Sequence, residues 1–165
     1  MSKSNASSAA KELQTFLKRQ PKSTSIELLI TDINGVPRSK RIKPKEFSKT
    51  FADGFCMPGG TVLLDTLGNT IPGIHYSADD GDPDVAAEIV AGSLAPLPWS
   101  RKPSGQALFR FRLADGTPFF ADPRSVLERA LQPLQRMKLK VVMATELEFY
   151  LLEAKADGPT ASVSR

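Results

Sequence analysis

The sequence predicts an α+β fold in which several short strands are interspersed with short helices. Residues 8–19 have apolar side chains spaced for one helical face, and Asn34-Gly35 is a strong hairpin signal. Residues 106–113 alternate so that one face is apolar and the other carries Arg110 and Arg112. Helical and extended patterns do not alternate in a βαβ rhythm, which argues against a doubly wound parallel sheet. A hydrophobic content of 41% and a charged content of 24% are typical of globular proteins.

The composition argues against several classes of protein. No apolar run is long enough for a membrane span, and residues 1–8 lack the apolar stretch of a secretory signal, so we expect a flexible leader there. Cys56 is the only cysteine, which excludes an internal disulfide and indicates a reducing, cytoplasmic compartment. His75 is the only histidine, so a Cys/His zinc site or a Ser-His-Asp site would depend on one imidazole in a turn-rich segment.

An amphipathic helix and a β-hairpin are predicted near the amino terminus. The helix covers residues 8–19, and residues 25–32 are predicted as the first strand. The Asn34-Gly35 pair predicts a type I′ turn, because both central residues of that turn need positive φ. The returning arm of the hairpin is expected to end near Ile42.

A second helix and three further strands are predicted in the sheet domain. Pro44 suits the first turn of a short helix, and Gly54 suits its end. Strands are expected at residues 61–65, 85–90 and 106–113, with a loop rich in glycine, proline and aspartate over residues 71–84. The last of these strands is predicted to be half-buried and antiparallel to its neighbours.

A capped helix and a buried strand are predicted in the last third of the sequence. Asp122 suits the N-cap and Pro123 the first helical position, while Pro133 should kink or end the helix. Residues 141–144 are continuously apolar, as in a strand buried on both faces, and we expect this strand to continue to residue 152. Residues 154–165 are mostly small and polar and are expected to be frayed.

Glu146 and Glu148 are the candidate functional residues. Residues two apart in a strand point to the same side, and adjacent carboxylates repel each other. The pair is tolerated if this face is in water, or if a divalent cation lies between the oxygens. The apolar residues before the pair favour an interior position, where unpaired carboxylates are costly. A solvated face and a metal site both stay open from the residues alone.

Most of the local excess of positive charge lies in residues 38–45, with Lys49 just beyond, in a chain of net charge +4. Three interpretations stay open: a solvated arm of the hairpin, side chains that face phosphate or carboxylate groups, and a nucleic-acid-binding surface. Single-strand-binding surfaces interleave aromatic residues with the charges so that bases can stack, and this run contains no aromatic residue.

Four ordered segments resemble the glutamine synthetase family. Residues 146–150 (ELEFY) resemble the Glu-x-Glu-Phe motif that opens the catalytic domain of that family, and residues 117–124 (TPFFADPR) resemble its Asp-Pro-Arg helix start. Residues 29–41 resemble the first hairpin of its amino-terminal β-grasp domain. This hairpin and residues 64–69 (LDTLGN) are similar in particular to the γ-glutamylpolyamine (γ-glutamylputrescine) synthetase branch.

The resemblance implies a two-domain enzyme that uses ATP to join an amine to the γ-carboxylate of glutamate through a γ-glutamyl phosphate. It divides the chain into a leader and helix (residues 1–23), a β-grasp domain (residues 24–114) and the truncated start of the catalytic domain (residues 115–165). The two glutamates of the motif bind divalent cations in the family, so Glu146 and Glu148 are expected ligands of Mg²⁺ or Mn²⁺. The resemblance also implies homo-oligomeric rings, and neither nucleic acid nor a membrane as a partner.

One departure from the family concerns the amine. Ammonia-using members carry an aspartate in a Phe-Asp-Gly-Ser-Ser segment, and the resemblance implies that Pro58 takes that place in this chain. A proline can neither bind ammonium nor accept its proton. The sequence therefore favours a larger amine, such as putrescine or another polyamine. A glutamine synthetase that uses ammonia, a non-catalytic β-grasp module for binding or assembly, and a basic nucleic-acid-binding domain are the alternatives.

Overall fold

The computed structural model describes residues 3–153 and 160–161, and the chain divides into two compact units, Met1–Gln132 and Pro133–Arg165. The helices are α1 (Lys3–Arg19), α2 (Pro44–Asp53) and α3 (Pro123–Arg136). The strands are β1 (Ser25–Thr31), β2 (Pro37–Ile42), β3 (Phe55–Pro58), β4 (Asp84–Ile89), β5 (Ala95–Pro96), β6 (Ser104–Arg112), β7 (Leu152–Glu153) and β8 (Thr160–Ala161). Short 3₁₀ turns lie at Gly59–Val62 and Ala78–Asp80. None of the helices in the described part of the chain is long and apolar enough to cross a membrane.

One sheet holds the first six strands in the order β2-β1-β6-β4-β3, and β5 pairs with the first part of β6. β1 and β6 run parallel, whereas every other pair in this sheet is antiparallel. The α+β character expected from the sequence is therefore confirmed. The prediction that β6 is antiparallel to its neighbours is correct for β4 and β5 and wrong for β1, because a parallel pair leaves no local sequence signal.

The core lies on the face of the sheet against which α1 and α2 pack. Leu28 of β1, Phe111 of β6 and Phe51 of α2 are fully buried there. The approach of α1 is close at Gly105, where an added Cβ would lie 2.7 Å from the ring of Phe16. The apolar face predicted from the alternation in residues 106–113 is the face that contributes to this core.

The β1–β2 hairpin forms as expected, but its turn is not of type I′. Asp32 N donates to Val36 O at 2.9 Å, and Gly35 N donates to Asp32 O at 3.0 Å. Gly35 has a φ of 81°, whereas Asn34 is not among the residues of positive φ. A three-residue loop with glycine in the left-handed region replaces the two-residue loop, because the Asp32 side chain binds the backbone N–H of Asn34 and of Val36.

The strand predicted at residues 61–65 is wrong, since its first two residues belong to the 3₁₀ turn at Gly59–Val62 and the other three form no strand. An added Cβ at Gly60 would collide with the backbone oxygen of Tyr76, so the chain here lies directly against the glycine-rich loop of residues 71–84. Val62 is fully buried, which accounts for the apolar pattern without a strand. Tight packing between two loops has no periodic signature.

Helix α1 begins at Lys3, well before the predicted start at residue 8, so the described part of the expected leader is helical. The Asn5 side chain explains this difference, because Nδ2 donates to Ile89 O at 2.9 Å and Oδ1 accepts from Ala91 N at 3.4 Å. These bonds attach the first turn of α1 to the end of β4. They depend on residues more than eighty positions away, which the helical pattern could not include.

Helix α3 starts at Pro123 as predicted and continues through Pro133 to Arg136. The proline therefore does not end the helix. Leu139 N donates to Leu134 O, and Lys138 has a φ of 61°; this combination caps the last turn of the helix. The expected fraying of residues 154–165 falls on positions that, apart from the backbone of Thr160–Ala161, lie outside the described residues.

Candidate functional site

Glu146 and Glu148 lie in a segment without regular secondary structure. Residues 139–151 form neither helix nor strand, and both glutamates are exposed. The predicted strand over residues 141–152 is therefore wrong except at its last residue, which pairs with β8 as part of β7. A strand is stabilised by hydrogen bonds to a neighbouring strand, and no described residue pairs with residues 141–151. Val142 is 85% exposed rather than buried.

The carboxylates of Glu146 and Glu148 are suitable ligands for a divalent cation, but two carboxylates are too few to form a complete site. Mg²⁺ prefers oxygen ligands in near-octahedral geometry, and carboxylates are among its usual ligands. Across residues 3–153, no group of three or more histidine, cysteine, aspartate or glutamate side chains is placed to hold a metal ion. Glu146 and Glu148 can therefore supply only part of a metal site, and their ligand role stays a prediction.

The start of α3 is built around Asp122, which is fully buried. Its Oδ1 accepts hydrogen bonds from Arg124 N at 2.9 Å and from Ser125 N at 3.3 Å, which caps the helix as the sequence predicts. Its Oδ2 accepts a hydrogen bond from Phe111 N at 2.8 Å. One carboxylate therefore both starts α3 and attaches its first turn to β6.

The basic hairpin contains an ion pair between the buried Asp32 and the partly buried Arg38. Burial by itself raises the pKa of Asp32, but the hydrogen bonds donated by Val36 N, by the Arg38 guanidinium and by Asn34 N outweigh that effect and hold this pKa below its ordinary value. The carboxylate is consequently charged at neutral pH. Arg38 is thus part of the hairpin structure and is not a free surface cation.

Two further cations of the hairpin also contact protein groups. Arg41 Nη2 lies 3.6 Å from Glu27 Oε1, and Lys40 Nζ lies 5.0 Å from the centre of the Phe55 ring. These contacts favour the structural interpretation of the basic run over a nucleic-acid-binding surface. A role of other basic residues toward phosphate or carboxylate groups stays open.

A buried carboxylate that the sequence did not single out lies on β4. Glu88 is 2% exposed, and its Oε1 accepts hydrogen bonds from Arg110 Nε at 2.7 Å and from Arg112 Nε at 2.9 Å. Arg110 Nη1 also lies 3.3 Å from Glu128 of α3. Oε2 of Glu88 is buried and has no hydrogen-bond partner in the described part of the chain. An unpartnered buried carboxylate oxygen is uncommon, because its desolvation is uncompensated.

Glu88 and Arg112 line a cavity of about 480 Å³. The other charged residues of its lining are Lys49 and Asp53, from the last turns of α2. A cavity of this volume falls in the range of small-molecule sites. Exposed Cys56 also lies in the lining and forms no disulfide. His75 lies elsewhere on the surface, 3.8 Å from Asp80.

The Glu88 cluster was visible in the sequence only as two separate anomalies. One is a single glutamate within the otherwise apolar stretch of residues 85–90, and the other is a pair of arginines on the polar face of residues 106–113. The register of β4 on β6 places Glu88 directly opposite Arg110. Pairing between strands separated by a long loop cannot be read from either strand alone, so the cluster was missed.

Comparison with known proteins gives a consistent result. Residues 120–164 match the family model described as "Glutamine synthetase, catalytic domain". The chain is 36% identical to the γ-glutamylputrescine synthetase PuuA of Escherichia coli (strain K12). The matched region of 152 residues covers 92% of this chain and 32% of that protein. It is 29% identical to a glutamine synthetase of Pyrococcus abyssi (86% of this chain, 28% of that protein) and 29% identical to a glutamate–isopropylamine ligase of a Pseudomonas species (78% and 28%).

A solved structure also matches the fold. The "GmaS/ADP complex-Conformation 1" superposes with a TM-score of 0.58 at 22% identity, covering 76% of this chain and 26% of that one. At that identity the likeness concerns the fold alone. The chain spans about a third of the length of the curated relatives it matches, namely 32% of the first relative and 28% of the second.

Proposed function

Because the chain belongs to the glutamine synthetase family, we propose that it is the amino-terminal part of an ATP-dependent ligase that joins an amine to the γ-carboxylate of glutamate. The 36% identity to a γ-glutamylputrescine synthetase, over 92% of the chain, is the observation that carries this proposal. In the proposed reaction the γ-carboxylate attacks the terminal phosphorus of ATP and ADP leaves. The amine nitrogen then attacks the acyl carbon of the γ-glutamyl phosphate, phosphate leaves, and the nitrogen loses a proton.

The proposed amine is larger than ammonia, with putrescine as the first choice. Pro58, at the place of the ammonium-binding aspartate, ends β3 opposite Asp84 and has no polar side-chain atom. Two relatives with names that refer to larger amines, putrescine and isopropylamine, support the same choice. Ammonia is the alternative, since relatives described as glutamine synthetases match at 29% identity.

The proposal includes the metal ligands and the domain organisation that the resemblance implies. Glu146 and Glu148 would each give a carboxylate to Mg²⁺ or Mn²⁺, and the ion would neutralise charge on the ATP phosphates during phosphoryl transfer. The β1–β2 hairpin beside a parallel β6, with α2 packed on the sheet, supports a β-grasp domain over residues 24–114. The parent enzyme is proposed to act in the cytoplasm as a homo-oligomeric ring.

Release of ADP by the whole enzyme that carries this chain tests the proposed reaction. ATP and glutamate are held constant, and putrescine, isopropylamine and ammonium are compared as the third substrate. We expect release that depends on both glutamate and putrescine, with little release on ammonium. Strong activity with ammonium and none with putrescine would overturn the choice of amine, and no glutamate-dependent release with any amine would overturn the ligase.

Binding of Mn²⁺ to the same whole enzyme tests the two glutamates separately from activity. Glu146→Gln and Glu148→Gln each keep the size of the side chain and remove its charge, so each should weaken Mn²⁺ binding by about tenfold or more. Glu128→Gln on α3 removes an exposed carboxylate and is the matched control. Unchanged Mn²⁺ affinity in the double variant, measured by calorimetry, would refute the ligand role.

A further inference from the structure

We propose that the cavity beside Glu88 binds a small zwitterion, namely an α-amino acid with an uncharged side chain. The lining holds two cationic side chains, Lys49 and Arg112, and two anionic ones, Asp53 and Glu88. A lining with both signs in equal number is matched best by a ligand that also carries one charge of each sign. The proposal concerns the first compact unit alone and does not depend on the ligase reaction.

All four of these charged side chains have unused hydrogen-bonding capacity. Among the residues that the structure describes, Lys49 and Asp53 have no side-chain hydrogen bond or ion pair, although they lie one helical turn apart on α2. Arg112 uses Nε to bind Glu88, while none of the side-chain hydrogen bonds of the described residues involves its terminal nitrogens. A ligand carboxylate can therefore bind Arg112 and Lys49, and a ligand ammonium can bind Asp53.

Glu88 supplies the observation that distinguishes this cavity from an ordinary surface cleft. Its side chain is 3% exposed, and one carboxylate oxygen, Oε2, has no partner within the described residues. The terminal torsion of a glutamate is soft, so the carboxylate can turn toward a donor with little strain. In the proposed complex the carboxylate turns toward the cavity, so that an ammonium group bound there can donate to Oε2.

The volume and the apolar part of the lining set the size of the ligand. About 480 Å³ accommodates an amino acid with a branched aliphatic side chain. Phe55 and Leu113 lie in the lining and offer apolar surface for such a side chain.

Titration of L-valine into the 165-residue chain tests the proposal by the amide NMR shifts of residues 54–56 and 113–116. Two analogues separate the charges: isobutylamine lacks the carboxylate, and 3-methylbutanoate lacks the ammonium. We expect saturable shifts at these residues with L-valine at millimolar concentration, and clearly weaker binding of each analogue. Equal shifts with all three probes, or shifts spread over the surface, would mean that the cavity does not recognise a zwitterion and would overturn the proposal.

Substitutions at the rim provide the second arm of the test. Lys49→Gln and Asp53→Asn change exposed side chains, so the protein should stay folded, and each should weaken L-valine binding about fivefold through the loss of one charged hydrogen bond. Lys45→Gln, on the same helix but outside the lining, is the matched control and should bind like the unchanged protein. Unaltered affinity in both rim variants would sink the inference.

Discussion

Arg38 donates two hydrogen bonds to a single carboxylate oxygen of Asp32, from Nε at 3.0 Å and from Nη2 at 2.8 Å. The other oxygen accepts the backbone N–H of Asn34 and of Val36, each at 2.9 Å. One buried side chain therefore joins the turn of the hairpin to its returning strand. Charge-assisted hydrogen bonds of this kind are stronger than neutral ones, so the pair should stabilise the hairpin measurably.

Asp32→Asn should lower the free energy of unfolding by about 2 kcal/mol, because a neutral amide replaces the charged acceptor of the Arg38 guanidinium. Urea unfolding at neutral pH, followed by circular dichroism, measures this loss. Arg41→Gln in β2, the strand that also holds Arg38, is the control. It should change stability by less than about 0.5 kcal/mol, because the ion pair of Arg41 with Glu27 is exposed. Equal losses in both variants would contradict the assignment of a structural role to Arg38 and Asp32.

The same pair predicts how stability depends on acid. The pKa of Asp32 is lower in the folded protein than its ordinary value of 3.8, so its contribution is fully present above that value. As pH falls through the depressed pKa of the folded state, the folded carboxylate takes up a proton and the contribution is lost. We expect the unchanged protein to lose stability more steeply than Asp32→Asn below about pH 4. Parallel pH profiles of the two proteins would show that Asp32 does not couple proton binding to folding.

Glu88→Gln should destabilise the first unit by about 3 kcal/mol, because two arginines on β6 lose the buried charge that compensates them. Glu128→Gln removes the exposed partner of Arg110 and should have a much smaller effect. Thermal and urea unfolding of the two variants compare a buried carboxylate with an exposed one that contacts the same arginine. A Glu88→Gln variant as stable as the Glu128→Gln variant would mean that the buried cluster contributes little.

Gly105→Ala should destabilise the packing of α1 on the sheet, because the added Cβ would lie 2.7 Å from the ring of Phe16. Overpacking of this kind costs about 2 kcal/mol in a well-packed core. In the Phe16→Leu background the shorter side chain leaves room for the methyl group. The double variant should therefore lose about 1 kcal/mol less than the sum of the two single losses. Additive losses in urea unfolding would show that the ring is not the group that excludes a side chain at residue 105.

Asp122→Asn should keep the cap of α3 and remove the hydrogen bond that attaches α3 to β6. The asparagine oxygen can still accept the N–H groups of Arg124 and Ser125, but its amide nitrogen cannot accept the N–H of Phe111. Leaving that buried N–H unpaired should cost about 2 kcal/mol and speed hydrogen exchange at Phe111. Asp122→Ala loses the helix cap as well and should be less stable still. Unchanged exchange at Phe111 in Asp122→Asn would contradict the bond to β6.

Several features of the fold were predictable because they depend on neighbours in the sequence. The hairpin after residue 32, the short helix between Pro44 and Gly54, and the start of α3 at Pro123 all follow from turn, proline and capping rules that act over a few residues. The apolar face of β6 follows from its alternation. The family follows from ordered motifs along the chain, which the matches to known ligases bear out.

The sequence by itself determined the existence of the three helices and of the hairpin, since each is encoded by residues close together in the chain, and it determined the family through the order of short motifs. Only the tertiary structure decided the parallel pairing of β1 with β6, the burial of Glu88 against Arg110 and Arg112, and the absence of a strand at residues 141–151. The physical reason is the same in each case. A strand needs a partner for its hydrogen bonds and a buried charge needs a counter-charge, and both are supplied by residues far away in the sequence.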